Sequence, residues 1–294
     1  MKLFTLINFT IISIISFHGC KASTGAPEID AALDSNDQDA SINSDPIDVG
    51  WYRFENNGSV RELALVRGTT LFRFDFTANA GTGEWLEPLD LQENWGVANA
   101  PFETSAASLD VAWYRYDDTQ GEPTIRKLNV MRNSTLHVYD YTTNTWTTSD
   151  LSTDTAANTG WASALGPFAS NNTAPLDAAW YRYEGGDANT RRLSVVRGTK
   201  QFTFDFATGQ WSSPQNLTDE DNPWTQTDAP FNSGTFPIDV TWFRYEGTGA
   251  NKIRLLGVLR GTTQYTYNFL ENTWNPVITH TTGSWTEANG PFAP

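Results

Sequence analysis

The feature that most constrains this chain is a segment of about sixty residues written four times. Trp51, Trp113, Trp180 and Trp242 each open a run of Trp, Tyr or Phe, Arg, and Tyr or Phe, at intervals of 62, 67 and 62 residues. All 12 tryptophans obey the pattern. Each repeat has a second in its middle (Trp85, Trp146, Trp211, Trp274) and a third near its end (Trp95, Trp161, Trp224, Trp285). The third always stands six residues before a Pro-Phe pair, of which Pro101-Phe102 is the first. A unit repeated this strictly cannot bury its apolar faces alone and must stack on its neighbours.

Residues 1–20 read as a targeting signal, with Lys2 ahead of an apolar stretch from Leu3 to Phe17 and then Gly19-Cys20. Cys20 is the only cysteine, so no disulfide staples the fold. A lone cysteine after a small residue at that point resembles the lipobox of bacterial lipoproteins. The resemblance implies lipidation of Cys20, export, and attachment to a bacterial cell envelope. Phe17 and His18 depart from the motif, and an ordinary secretory cleavage near Ala22 is the alternative. Residues 21–45 hold six acids among Ala, Ser and Asn, the composition of a flexible tether. Residues 46–294 carry the repeats, bounded near 46–107, 108–174, 175–236 and 237–294.

The formal net charge is −15. Such a surface repels phosphate backbones and argues against nucleic-acid binding. It suits solubility outside the cell, or affinity for cations or basic partners.

The third repeat shows the strand pattern most clearly. Asp177 to Glu184 alternates with aromatic residues, Arg192 to Arg197 is a second strand turned by Gly198-Thr199, Gln201 to Phe206 is a third, and Trp211 lies in a short fourth. Phe72, Phe74 and Phe76 share one strand face, as do Tyr265, Tyr267 and Phe269. The opening strands are bulky on both faces, as face-to-face packing of sheets requires. The expectation is an all-β chain, a single four-bladed β-propeller with four short antiparallel strands per blade and almost no helix.

The run Pro175-Leu176-Asp177-Ala178-Ala179-Trp180, the strand end Arg197-Gly198-Thr199, the strand Phe202-Thr203-Phe204-Asp205 and the Trp-rich tail resemble the hemopexin repeat. The likeness spans residues 46–294. It implies a four-bladed propeller, often with a cation in its axial tunnel, commonly used to recognise a protein partner. Only the third repeat keeps Asp-Ala-Ala, and the disulfide common in that family is missing.

Asp48, Asp110, Asp177 and Asp239 begin every first strand. They are candidates for a ring around an axial Ca²⁺, which takes six to eight oxygen ligands. The reading favoured for their side chains is that each caps a turn. Arg53, Arg115, Arg182 and Arg244, with Arg67, Arg132, Arg197 and Arg260, also recur in every unit. They could present an anion site, but residues copied into each blade are first of all architecture, pairing with Asp75, Asp140, Asp205 or carbonyls. The surplus of aromatics admits sugar recognition, in which a ring face stacks on a sugar beside polar groups. His137 stands where sister repeats have Phe72, Phe202 and Tyr265, and His280 is the other histidine beyond the signal. Two unpaired histidines make a poor heme site. No nucleophile elbow, metal motif or phosphate loop is present. The expectation is therefore a non-catalytic binding module for a protein partner. A glycan-binding propeller is the alternative and a glycoside-active enzyme a distant third.

Overall fold

The structure is a computed structural model that describes residues 46–55, 59–102, 108–117, 124–169, 175–183, 190–232, 237–246 and 252–294. The signal, Cys20 and the tether lie outside the described residues. The repeats form a four-bladed β-propeller, one antiparallel sheet per repeat. Blade 1 holds β1 (Val49–Glu55), β2 (Val60–Arg67), β3 (Thr70–Asp75), β4 (Glu84–Trp85) and β5 (Leu89–Asp90). Blade 2 holds β6 (Val111–Asp117), β7 (Ile125–Arg132), β8 (Thr135–Asp140) and β9 (Thr145–Asp150). Blade 3 holds β10 (Ala178–Tyr183), β11 (Arg191–Arg197), β12 (Lys200–Asp205), β13 (Gln210–Trp211) and β14 (Gln215–Asn216). Blade 4 holds β15 (Val240–Glu246), β16 (Ile253–Arg260), β17 (Thr263–Asn268), β18 (Thr273–Trp274) and β19 (Ile278–Thr279). The first strands are innermost, and β1 packs on both β6 and β15, so the ring closes.

Local chemistry explains the hairpins. The turn between second and third strands starts at Gly68, Asn133, Gly198 or Gly261, all at positive φ (54 to 58°). Glycine and asparagine are the residues that tolerate this region.

The fourth strand differs between blades. In blade 2, β9 pairs along the whole of β8, from Asp140↔Thr145 to Thr135↔Asp150. In the other blades it is split in two, because one extra residue intrudes between the pairs Phe74↔Trp85 and Leu71↔Leu89, and likewise in blades 3 and 4. Pro88, Pro214 and Pro276 stand in the three splits, where the missing N–H breaks the ladder. Ser149 stands in blade 2 opposite Leu136, and the strand runs on.

The tails contain little helix. The one α-helix among the described residues, α1 (Leu91–Trp95), is capped by Asp90, which accepts hydrogen bonds from the N–H groups of Gln92 (2.7 Å) and Glu93 (3.1 Å).

Period-2 alternation gives every blade two different faces. One is aromatic: Phe74 and Phe76 meet edge to face at 4.8 Å, as do Tyr139 and Tyr141 (4.9 Å), Phe204 and Phe206 (5.0 Å), and Tyr267 and Phe269 (5.0 Å). The other carries the opening tryptophan and packs on the aromatic face of the next blade. The tail tryptophan bridges them. Trp161 lies 6.2 Å from Trp113 of its own blade and 5.1 Å from Trp211 of the next. Trp224 relates in the same way to Trp180 (5.8 Å) and Trp274 (5.4 Å). At the closing seam Trp285 meets Trp85 at 5.2 Å. The tryptophan periodicity of the sequence is thus the periodicity of the seams.

At one end of the axis, buried carboxylates lock the seams. Glu55 is fully buried; it accepts hydrogen bonds from Arg53 Nε of its own blade (2.6 Å) and Tyr114 of blade 2 (2.5 Å), and pairs with Arg126 of blade 2. Glu246 repeats this across the closing seam with Arg244 (2.6 Å), Tyr52 and Arg61 (2.8 Å). Asp117 takes Arg191 of blade 3 at 3.1 Å. Burial alone would raise the Glu246 carboxyl, but the hydrogen bonds from Arg244 and Tyr52 outweigh it and hold it below the ordinary range. Removing the carboxylate would leave two guanidinium groups without it in a largely dry setting. Glu246→Ala is expected to cost about 3–5 kcal/mol in urea unfolding, whereas Glu87→Ala, at an exposed position, is expected to stay within about 0.5 kcal/mol.

Candidate functional site

The four repeated aspartates stand at the other end of the axis, and each closes a turn of its own blade. Asp48 Oδ2 accepts from Gly68 N (2.6 Å), Asp110 from Asn133 N (2.6 Å), Asp177 from Gly198 N (2.5 Å) and Asp239 from Gly261 N (2.5 Å). Burial raises all four carboxyl pKa values, and the turn N–H only partly opposes it. The axial space beside them is about 10 Å³, room for one water. Small residues narrow it: a Cβ on Gly50 would meet Leu65 and Val240 side-chain carbons at 2.7 Å, and Thr241 Oγ1 donates to the Ala179 carbonyl at 2.9 Å. Among the described residues no three His, Cys, Asp or Glu side chains gather as a metal cluster. The aspartate side chains therefore do not fit a calcium cage.

The repeated arginines span seams. Arg53, Arg115, Arg182 and Arg244 sit 4.4, 4.0, 4.2 and 4.2 Å above the rings of Tyr141, Phe206, Phe269 and Phe76, each in the following blade. Together they make a closed cycle of cation–π contacts. The second set reaches back: Arg132, Arg197 and Arg260 donate to the carbonyls of Pro101, Pro167 and Pro230 in the preceding blade. Arg67 lies 5.7 Å from the ring of Phe292. Of the first set, Arg53 and Arg244 pair with Glu55 and Glu246; three of the second set take carbonyls, which the sequence offered beside Asp75, Asp140 and Asp205. Asp75, Asp140 and Asp205 each accept from backbone N–H groups two residues on, capping the next turn. Arg192 and Lys127 are the cations that approach Asp205 and Asp140.

The histidines differ in setting. His137 occupies the aromatic place, opposite Val130, with Nδ1 2.8 Å from the Asn99 carbonyl. His280 takes the place that Leu91, Leu151 and Leu217 fill in sister blades, each sending its N–H to the preceding hairpin turn. It is buried, stacks on Trp285 at 3.9 Å and pairs through Nε2 with Gln264 Oε1 at 2.8 Å. Burial lowers its pKa to about 4.

Between blades 3 and 4 lies a slot of about 460 Å³. The corresponding slots are about 140 Å³ between blades 1 and 2 and about 260 Å³ between blades 4 and 1. Tyr267, Phe269 and Trp274 of blade 4 make an apolar wall, with Trp180 and Trp224 at the blade 3 side. The facing wall is polar: Arg192, Ser194, Gln201, Thr203, Asp205 and Gln215. Residue exchange between repeats makes this wall polar. Leu71 pairs with Leu89 in blade 1, and the same ladder position in blade 3 pairs Gln201 with Gln215. Gln201 Nε2 donates to Ser194 Oγ (3.2 Å) and Thr203 Oγ1 (3.1 Å), which fixes the amide in the wall. These residues were not singled out from the sequence. The signal was there as a departure, because glutamine replaces the leucine of the first two repeats on an otherwise conserved ladder.

No family model matches the chain, and no curated protein matches its sequence. Solved structures do match in shape. A hemopexin-fold protein of cow pea, CP4, aligns with a TM-score of 0.50 at 14% identity, over 79% of this chain and 92% of that one. LS24, a seed albumin of Lathyrus sativus, gives 0.52 at 10% identity, over 80% and 92%. A plant albumin of Cicer arietinum, described as showing hemagglutination, gives 0.51 at 15% identity, over 83% and 95%. The likeness is one of fold.

Two outcomes follow from the axis and the seam. Asp177→Ala removes one hydrogen bond to a turn and is expected to cost about 1–2 kcal/mol, while calcium added to chelator-treated protein leaves the Tm unchanged. A saturable rise in Tm would instead show an ion held by other groups. His280 is neutral in the fold but takes up a proton near pH 6.5 when unfolded. Its contribution is whole above that pH and is lost as pH falls toward 4, by about 2–3 kcal/mol. His280→Leu should flatten that part of the stability curve, read as the difference between variant and parent.

Proposed function

We propose that this protein is a non-catalytic carbohydrate-binding propeller, exported and held at a cell envelope through Cys20, with the slot between blades 3 and 4 as its binding site. The observation that carries the reading is the slot's two-sided chemistry. A pyranose has an apolar C–H face and a rim of hydroxyls; the slot has an aromatic wall and, opposite it, a wall of amides and hydroxyls. Its volume of about 460 Å³ suits one or two sugar rings. The hemagglutination described for the Cicer arietinum albumin adds support from a protein of like fold.

The competing readings have less behind them. A protein-docking face calls for a broad apolar patch. Among the described residues the exposed large apolar side chains are Val97, Leu270, Val277 and Ile278, of which only the last two adjoin in sequence. Glycoside hydrolysis needs two carboxyl groups across one cleft. The slot is lined by one, Asp205, already engaged by Arg192 and two turn N–H groups.

The full-length chain, solubilised in detergent and applied to a broad glycan array, should show saturable binding to one class of sugar. Gln201→Leu restores the side chain that blades 1 and 2 carry at that place and takes the amide out of the polar wall. It is expected to weaken binding at least about tenfold, the worth of one buried polar contact, with the Tm unchanged or raised. Absence of saturable binding to any glycan would remove the proposal and return the search to a protein partner.

A further inference from the structure

We infer that the slot between blades 3 and 4 takes a neutral saccharide, one per chain, and discriminates against acidic sugars. This rests on the carbohydrate-binding reading above and adds to it the class of ligand and the stoichiometry.

The charges in the slot are already spent on one another. Arg192 Nε lies 3.3 Å from Asp205 Oδ2, and Asp205 Oδ1 accepts from the N–H groups of Ala207 (2.8 Å) and Thr208 (3.3 Å). The Arg182 guanidinium lies flat over Phe269 at 4.2 Å as part of the seam. A uronate or sialate carboxylate entering here would lose its hydration beside Asp205, with no cation committed to it, in a chain of net charge −15. What the polar wall offers instead is neutral. It presents the amides of Gln201 and Gln215 and the hydroxyls of Ser194, Thr203 and Ser212. Amides and hydroxyls both donate and accept, which matches sugar hydroxyls and an N-acetyl group without a formal charge. The network around Gln201 Nε2 fixes which way that amide points before any ligand arrives.

The other seams differ from this one residue by residue: in blade 2, which faces blade 3, Leu136 and Val138 hold the ladder places of Gln201 and Thr203. Between blades 1 and 2, Leu71 and Leu89 stand where Gln201 and Gln215 do, and Arg73 and Glu62, 3.9 Å apart, stand where Thr203 and Arg192 do, in a space of about 140 Å³. Between blades 4 and 1, the strand position of Ser194 is held by Gly257, opposite Trp242 as Ser194 is opposite Trp180. A Cβ on Gly257 would meet Trp242 Cε2 at 2.2 Å, so the indole lies where the serine hydroxyl stands in blade 3. The facing wall there is Leu63, Phe74 and Phe76. That slot is smaller and lacks the carboxylate–guanidinium pair and the second glutamine.

The test is calorimetric titration of the full-length chain with methyl glycosides of neutral hexoses and N-acetylhexosamines, and of glucuronic and N-acetylneuraminic acid. Expected is binding to a neutral glycoside at one site per chain, with an affinity that changes less than about twofold between low and high salt. Gln201→Leu and, separately, Thr203→Val, which takes the residue of blade 2 at that place (Val138), should each lower affinity at least about tenfold. Two variants guard against one failing to fold. Tighter binding of an acidic glycoside, or two or more sites per chain, overturns this inference and leaves the carbohydrate-binding reading standing. No binding of any glycoside removes both.

Discussion

Everything in this ring depends on how one blade's tryptophan face meets the aromatic face of the next. The chain has one cysteine and so no cross-link between its ends. The last strands of repeat 4 pair within their own sheet, so among the described residues no strand exchange closes the circle either. Closure falls to side chains. Phe292, Trp285, Trp85 and Leu259 pack into one apolar cluster between the last blade and the first. Burying a large aromatic side chain is worth about 1.5–3 kcal/mol, and each seam buries several. The buried carboxylates set the register of that packing. Glu246 accepts from Tyr52 and Arg61 across the closing seam as Glu55 accepts from Tyr114 and pairs with Arg126 across the first. A slip by one residue would turn each carboxylate to the opposite face of its strand and leave these partners unmet.

The same seams divide residues that hold the ring from residues free to change. The third-strand aromatics and the tail tryptophans keep nearly the same spacing in every blade, with Phe74 and its counterparts 5.1 to 5.2 Å from the middle tryptophan. The opposing polar face does not. Its ladder positions read Leu71, Leu136, Gln201 and Gln264, and its neighbours Arg73, Val138, Thr203 and Thr266. A propeller repeats its architecture and differentiates its surface slots, and blades 3 and 4 carry glutamine and threonine at these two places.

The fold was legible because the seam chemistry is periodic. Tryptophan spacing, the Pro-Phe pair and the Gly or Asn turns each repeat, and each has a structural use. The proline splits in the fourth strand were also legible in principle, since Pro88, Pro214 and Pro276 are visible and Ser149 is not a proline. Arginine partners were harder. Arg53 with Glu55 is two residues apart and readable, but the ring of Tyr141 over which it lies comes from another repeat. Sequence spacing within a repeat says nothing about contacts between repeats. The slot escaped notice for a related reason: attention to what recurs in all four repeats hides Gln201 and Gln215, which do not.

His280 shows the same logic from the side of stability. A leucine at that place, as in the other three blades, would complete the apolar seam. Histidine there needs Gln264 as a partner and gives up its proton to burial. The closing seam thus carries a polar pair that its sisters lack, in the ring's one junction between distant parts of the chain. The slot in blade 3 makes a comparable concession, with glutamine where leucine would pack. Both are tolerable because the aromatic contacts and buried ion pairs that define each seam lie elsewhere on the same strands. The third-strand aromatics lie on the opposite face of the sheet and the buried carboxylates at the far end of the first strands, so the ladder positions can vary while both hold.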